Sequence, residues 1–180
     1  MNLSTLRLAF AGTALVASMA ASAADGTITF TGDITATTCI VGPGTGAEGA
    51  AKAIEIKLPE LATSALGTDG ATNGDTDFSL KLDGGADCVG QSGKLGKMAF
   101  SGANINPTTG RLTNTGTAAN VEVELVSAGT PLHLANDKID FAVNATGDNE
   151  FPMTARYRAS GGAAGQGDVS TTVEYTLSYN

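Results

Sequence analysis

Residues 25–39 read DGTITFTGDITATTC, and this stretch alternates strictly between apolar or small side chains and polar ones. The first set is Ile28, Phe30, Gly32, Ile34 and Ala36, and the second is Thr27, Thr29, Thr31, Asp33 and Thr35. Strict alternation predicts a β-strand with one buried and one solvent-exposed face. Because chain termini usually fray, a strand so close to the start of a chain needs a core to fill if it is to be ordered.

The residues before this strand have the features of a secretory signal peptide. Residues 1–7 carry one positive charge, and residues 8–19 (LAFAGTALVASM) are apolar but too few to span a bilayer securely. Small residues follow at 21–23 (ASA), where a signal peptidase would cut. We therefore predict that residues 1–23 are removed on export, with cleavage after Ala24 as the alternative and a transmembrane helix disfavoured.

The remaining composition fits one exported domain. Removing 23 of the 180 residues leaves 157, enough for a single core. The full chain has a net charge of −8 and no basic patch, so we expect no nucleic-acid partner. It also has no basic amphipathic segment, so binding to a membrane surface is not expected.

The chain has two cysteines, Cys39 and Cys88. In an exported protein such a pair predicts a disulfide, which here closes a loop of about 50 residues and contributes roughly 2–4 kcal/mol. A metal site is the alternative, but it needs further ligands, and the one histidine is His133. We interpret His133 as a solvent-facing strand residue, because no serine or cysteine stands near it in a nucleophile motif.

Short alternating apolar runs separated by Gly, Asn and Asp predict an all-β sandwich or barrel. No helix longer than a turn or two, no repeat and no domain linker is predicted. The strands are expected at residues 54–58, 78–82, 95–100, 121–125, 130–134, 138–143, 151–159 and 169–180.

Other candidate sites are weak. The stretch GTGAEG has the glycine spacing of a dinucleotide-binding loop but lacks the strand–turn–helix context, so we expect no cofactor. Four aspartates near the 78–82 strand have no calcium-motif spacing, and we interpret them as solvated loop charges rather than as acid–base or metal groups. These candidates are Gly44, Gly46 and Gly49, and Asp75, Asp77, Asp83 and Asp87. No catalytic residue and no metal ligand is predicted.

The last twelve residues, VSTTVEYTLSYN, form a second strictly alternating strand. Its apolar side includes Val169, Val173, Tyr175, Leu177 and Tyr179, and Tyr179 is the penultimate residue. Gly167 stands immediately ahead of the strand, fourteenth from the end of the chain.

Taken together and in this order, the motifs resemble the pilins of the chaperone–usher pathway, in particular the type 1 fimbrial major subunit family. The matching pieces are the signal peptide, GTITFTGDITATTC, Cys88 after FSLKL, FPMTARYRA, Gly167 and the C-terminal strand with Tyr179. The resemblance covers essentially the whole mature chain. One stretch departs from it, since residues 42–53 are so rich in Gly and Ala that the strand after Cys39 cannot be aligned.

The resemblance implies an incomplete immunoglobulin-like sandwich that lacks its last strand and is completed by donor-strand exchange, a known form of β-strand addition. Residues 24–38 would be the N-terminal extension, or donor strand, and residues 39–180 the pilin domain. The donor residues implied are Ile28, Phe30, Gly32 and Ile34. The acceptor groove and chaperone-recognition pattern would comprise Gly167, Val169, Val173, Tyr175, Leu177 and Tyr179.

The function implied is that of a structural shaft subunit of a fimbria, exported through the periplasm to the surface of a Gram-negative cell and used in adhesion and biofilm formation. Its partners would be further copies of itself, a periplasmic chaperone, an outer-membrane usher, and other pilins including a tip adhesin. The alternatives are a minor adaptor pilin and a self-contained secreted β-sandwich that binds through its loops. An enzyme is not expected.

Overall fold

The computed structural model describes residues 39–83, 88, 90–144 and 149–180. The predicted signal peptide (1–23) and N-terminal extension (24–38) therefore lie outside the described residues. Within the described part, no helix is long and apolar enough to cross a membrane. The elements are β1 (Ile40–Pro43), β2 (Glu48–Ala50), β3 (Ala53–Glu55), a 3-10 helix (Thr63–Leu66), β4 (Thr72–Asp83), β5 (Leu95–Ser101), β6 (Leu112–Thr113), β7 (Val121–Ser127), β8 (Thr130–Pro131), β9 (Lys138–Ala142), β10 (Glu150–Ala159) and β11 (Glu174–Tyr179).

The strands form two antiparallel sheets and a small hairpin. The first sheet has the order β1-β4-β10-β7-β6, with β8 also paired to β7. The second sheet has the order β11-β5-β9, and β2 pairs with β3. The two sheets pack face to face, as the edge-on contact between Phe141 of β9 and Phe151 of β10 illustrates, with ring centroids 5.0 Å apart. Leu82 from the first sheet and Met98 from the second are fully buried between them.

The predicted disulfide is confirmed. Cys39 and Cys88 are bonded, with their Cα atoms 4.4 Å apart, and both residues are buried. The bond attaches the start of β1 to the segment that follows β4. Cys39 is the first residue of the predicted pilin domain, so the disulfide would fix the point at which the N-terminal extension begins.

Strand β7 is buried on both of its faces. Val123 and Leu125 point into the core, while Glu122 and Glu124 lie on the opposite face beneath a layer of arginines. Glu124 accepts hydrogen bonds from Arg156 at 2.6 and 2.8 Å, and it is also paired with Arg111 and Arg158. This network of charged residues, to which Asp75 also belongs through Arg156, was not predicted, because its members come from separate stretches of the chain.

Hydrogen bonding also sets the ionisation of the second buried carboxylate. Burial alone would raise the pKa of Glu122, but the hydrogen bonds that this residue accepts from Arg111, Asn106 and Thr109 hold its pKa below the ordinary value. Glu122 therefore stays charged in the fold and anchors the loop that precedes β6.

Several predicted boundaries were wrong, and the strand expected at 169–180 begins only at Glu174. The strand expected at 54–58 ends at Glu55, because it forms a hairpin with β2 inside the Gly- and Ala-rich stretch that could not be aligned. The strand expected at 78–82 begins at Thr72, so Asp75 and Asp77 lie within β4 instead of before it. His133 lies in the loop after β8, half-buried, rather than in a strand.

Candidate functional site

The C-terminal strand β11 is an edge strand of the second sheet. It pairs with β5 on one side, with Tyr175 opposite Phe100. No described residue forms a ladder with its other side. Across the open side lies β1, and the Tyr175 hydroxyl reaches the Val41 carbonyl oxygen at 3.5 Å. Burial raises the pKa of Tyr175. The second sheet thus stops where one further strand would fit.

The hydrogen bonds of residues 168–179, which we call the groove strand, show which way its backbone faces. The carbonyl oxygens of Asp168 and Ser170 accept hydrogen bonds from residues 104–118, the bracing segment, at 3.0 and 2.8 Å. Farther along, the Asn180 amide donates to β5 at 2.8 Å. Because successive residues of an extended strand point their N–H and C=O groups in opposite directions, the odd-numbered residues must direct theirs to the open side.

Those outward-directed backbone groups have no backbone partner among the described residues. An edge of unpaired N–H and C=O groups is a template for pairing with another strand. The residues that present it are Val169, Thr171, Val173, Tyr175, Leu177 and Tyr179.

The side chains of the same six residues point toward the core but are only half-buried. In β7, by contrast, the core-facing residues Val121, Val123 and Leu125 are all buried. Burial of a core side chain requires cover on all sides, so partial exposure along one whole strand indicates that the core is open there. Contiguous apolar surface of this kind marks an interaction site.

The open side is a groove in three connected sections. The middle section encloses about 680 Å³ beside Val173, and its floor consists of core side chains of the first sheet. A section of about 350 Å³ continues past Gly167, and one of about 540 Å³ continues past Leu177. The floor residues of the middle section include Phe78, Leu80, Leu112, Val123, Leu125, Met153 and Ala155.

The shape of the groove suits an extended polypeptide better than a compact ligand. Its wall from residue 169 to residue 179 is about 33 Å long at roughly 3.3 Å per residue. Both a hydrogen-bonding edge and an apolar floor run along this length. A β-strand with alternating apolar side chains satisfies the two together.

Gly167 lies at one end of the groove, where the backbone passes close to the bracing segment. Its φ is +153°, and a Cβ atom there would lie 2.5 Å from the Ala118 nitrogen and 2.6 Å from the Thr117 carbonyl carbon. The next residue, Asp168, donates its amide to the Thr117 hydroxyl at 2.9 Å. Gly167 is therefore required by the fold, whatever its part in recognising a chaperone, which remains a prediction.

We expect Gly167→Ala to lower the free energy of unfolding by roughly 3 kcal/mol, because the added methyl group meets backbone atoms and the φ angle is unfavourable. Gly93→Ala is the matched control, since Gly93 also has a positive φ (+79°) but nothing within 4 Å of an added Cβ. The control should cost about 1 kcal/mol. Urea unfolding midpoints measure both, and equal losses would contradict the importance of the close contact.

Of the six residues predicted for the acceptor site, five line this groove and Tyr179 follows them in β11; that they accept a strand stays a prediction. The predicted donor residues lie outside the described part of the chain. The structure adds Thr171, whose buried hydroxyl has no hydrogen-bond partner among the described residues. It also adds Lys52 and Ile54 on the facing wall. Thr171 belongs to the same alternating set of residues as its neighbours. Its side chain is polar, so the pattern of apolar positions did not indicate it.

Comparison with known proteins identifies similar chains. The model of the family described as Fimbrial protein matches residues 28–180. The F17 fimbrial protein of Escherichia coli is 32% identical over 174 residues, covering 92% of this chain and 93% of the relative. The major fimbrial subunit SMF-1 of Stenotrophomonas maltophilia is 33% identical over 177 residues, covering 91% and 98%.

Solved structures agree on the fold. The P pilus rod subunit PapA matches with a TM-score of 0.60 at 21% identity, covering 86% of this chain and 100% of the other. A subunit in the structure of a chaperone–usher pilus matches with a TM-score of 0.58 at 22% identity, covering 87% and 96%. These similarities confirm the predicted fold class, an immunoglobulin-like sandwich that lacks a strand.

Proposed function

Because this chain belongs to the fimbrial protein family and is a structural pilus subunit, we propose that it polymerises by inserting its N-terminal extension, residues 24–38, into the groove of the next copy. The observation that carries the proposal is the coincidence of an unpaired backbone edge and an open apolar core along the groove strand. One strand inserted beside β11 would pair with the edge and cover the core. The family consists of structural pilins and is not a family of enzymes.

The N-terminal extension has the chemistry that the groove requires. Ile28, Phe30 and Ile34 repeat at the spacing that places them on one face of a strand. Burying each of them contributes about 1.5–3 kcal/mol, and each new ladder hydrogen bond adds roughly 0.5–1.5 kcal/mol. Gly32 lies between them and would occupy a point where the groove has no room for a side chain.

Donation from one copy to the next runs head to tail and does not close on itself. Such contacts generate a filament instead of a ring. The product would be the shaft of a cell-surface fimbria of a Gram-negative bacterium that supports adhesion and biofilm formation. During export through the periplasm, a chaperone would occupy the groove until an outer-membrane usher exchanges it for the next subunit, and a tip adhesin would end the fibre.

Removing residues 24–37 tests the proposal. We expect the mature chain, refolded from urea at high concentration, to form filaments that are visible by electron microscopy and elute in the void volume of a sizing column. The shortened chain keeps Cys39 and should remain monomeric, because it has a groove but no strand to donate. Filaments from the shortened chain, or a stable monomer from the mature chain, would overturn the proposal.

A further inference from the structure

The groove strand is held in place by two different means. Residues 174–179 are paired to β5 in a regular ladder, whereas residues 168–172 form no ladder with any strand of the described part and are held by the bracing segment. We propose that Asn114 is the positioning residue that keeps this second half extended and ready to receive the incoming strand. The inference rests on the proposed function, since it concerns how the same groove is prepared.

Asn114 uses the full hydrogen-bonding capacity of its side chain here. Its Nδ2 donates to the carbonyl oxygens of Ala118 at 2.8 Å and Asp168 at 3.2 Å. Its Oδ1 accepts from the amides of Gly116 and Ser170, each at 2.8 Å. A primary amide has two N–H donors and one oxygen with two lone pairs, so no capacity is left over.

Two of these bonds copy the geometry of a β-sheet. In a parallel ladder, one residue donates to the carbonyl of residue i−1 and accepts from the amide of residue i+1 on the neighbouring strand. Asn114 does the same around Val169, with Asp168 and Ser170 in those two places. Its side-chain amide thus stands in for the peptide group of a missing neighbour strand.

Other residues of the bracing segment extend the same contact. The Thr115 amide and hydroxyl both donate to the Ser170 carbonyl, at 2.8 and 2.7 Å. Asn104 donates to the carbonyl oxygen and the hydroxyl of Thr172 at 3.2 and 3.0 Å. All of these bonds engage even-numbered residues of the groove strand.

Because the bracing segment bonds only to even-numbered residues of the groove strand, the backbone groups of the odd-numbered residues stay available for an incoming strand. Val169, Thr171 and Val173 keep their backbone groups directed to the groove while their neighbours are fixed from behind. If residues 168–172 were instead disordered in the empty groove, an incoming strand would have to order them as it bound, at a cost in conformational entropy. Asn114 removes that cost in advance, and it should therefore affect the rate of strand capture.

The test measures how fast the chain that lacks residues 24–37, which contains every described residue and keeps an empty groove, takes up a fluorescent synthetic peptide of residues 25–38. We expect Asn114→Ala to slow uptake at least tenfold. Asn114→Asp keeps an acceptor for Gly116 and Ser170 but sets a carboxylate oxygen against the carbonyl oxygens of Ala118 and Asp168, so it should slow uptake as well. Hydrogen exchange supplies a second readout, because the Ser170 amide should lose its protection in Asn114→Ala before any peptide is added.

Asn106→Ala is the matched control. Asn106 belongs to the same bracing segment, but its side chain bonds to Thr108, Thr109 and Glu122 and to no residue of the groove strand. It should lower the urea midpoint and leave peptide uptake unchanged.

Two outcomes would refute the positioning role of Asn114, and a third would refute the proposed function. Uptake at the wild-type rate by both Asn114 variants would refute the positioning role. If Asn106→Ala slows peptide uptake as much as Asn114→Ala does, general destabilisation would explain both results, and the positioning role of Asn114 would be refuted as well. Failure of the otherwise unchanged shortened chain to take up the peptide at all would instead overturn the proposed function.

Discussion

Joining a copy of residues 25–38 to the C-terminus of the chain that lacks residues 24–37, through a short flexible linker, should raise the free energy of unfolding by about 5 kcal/mol or more. Three large apolar side chains enter the open core at about 1.5–3 kcal/mol each. The ladder hydrogen bonds formed with the odd-numbered residues of the groove strand offset the entropy of ordering the added strand. Urea unfolding of the joined and unjoined chains measures the difference.

Gly32→Leu within the joined copy is the control for this gain. The substitution leaves the added strand apolar and equal in length, but it places a large side chain at the donor position that carries none, where we expect the acceptor to be too shallow for it. It should remove most of the added stability. If the joined and unjoined chains unfold at the same urea concentration, the sandwich needs no further strand, and a self-contained binding module becomes the better interpretation.

Glu124→Ala should lower the free energy of unfolding by about 3–5 kcal/mol, the usual loss when one partner of a buried ion pair is removed. The Glu124 side chain is 3% exposed and pairs with Arg111, Arg156 and Arg158, so its loss leaves three guanidinium groups without their shared carboxylate. Urea denaturation at pH 7 measures the loss.

Asp140→Ala is the appropriate comparison. Asp140 forms a 2.6 Å ion pair with Lys97, but its side chain is 72% exposed. Exposed pairs contribute about 0–1 kcal/mol, because water screens them. If the two variants lose the same stability, the buried network would have no special importance, and the double burial of β7 would need another explanation.

Sequence alternation predicted those strands whose two faces differ in polarity. β5, β7 and β10 lie within a few residues of their expected positions, because period-two patterns report directly on which side chains face a core. β4 begins earlier than expected, since its first residues, TNGDTD, have low strand propensity and are recruited by pairing with β10. Pairing with β10 therefore outweighs the low strand propensity of these residues.

The residues that shape the groove were predicted only in part, and the reason is distance along the chain. Alternation and the resemblance together located the groove strand and Gly167. Neither contained a signal for Asn114, whose partners in the groove strand are 54 and 56 residues away. The same applies to Glu124, which lies 32 residues from Arg156. Polar contacts between distant segments leave no periodic trace in a sequence.

The odd–even division of the groove strand also limits how this protein can change in evolution. One extra residue between Gly167 and Glu174 would exchange the two sets, turning the apolar side chains to water and the free backbone groups toward the bracing segment. Substitutions on the solvent side leave this division intact, whereas a one-residue insertion or deletion between Gly167 and Glu174 does not. A one-residue insertion in this segment is therefore expected to cost more than a substitution at any of its solvent-facing positions.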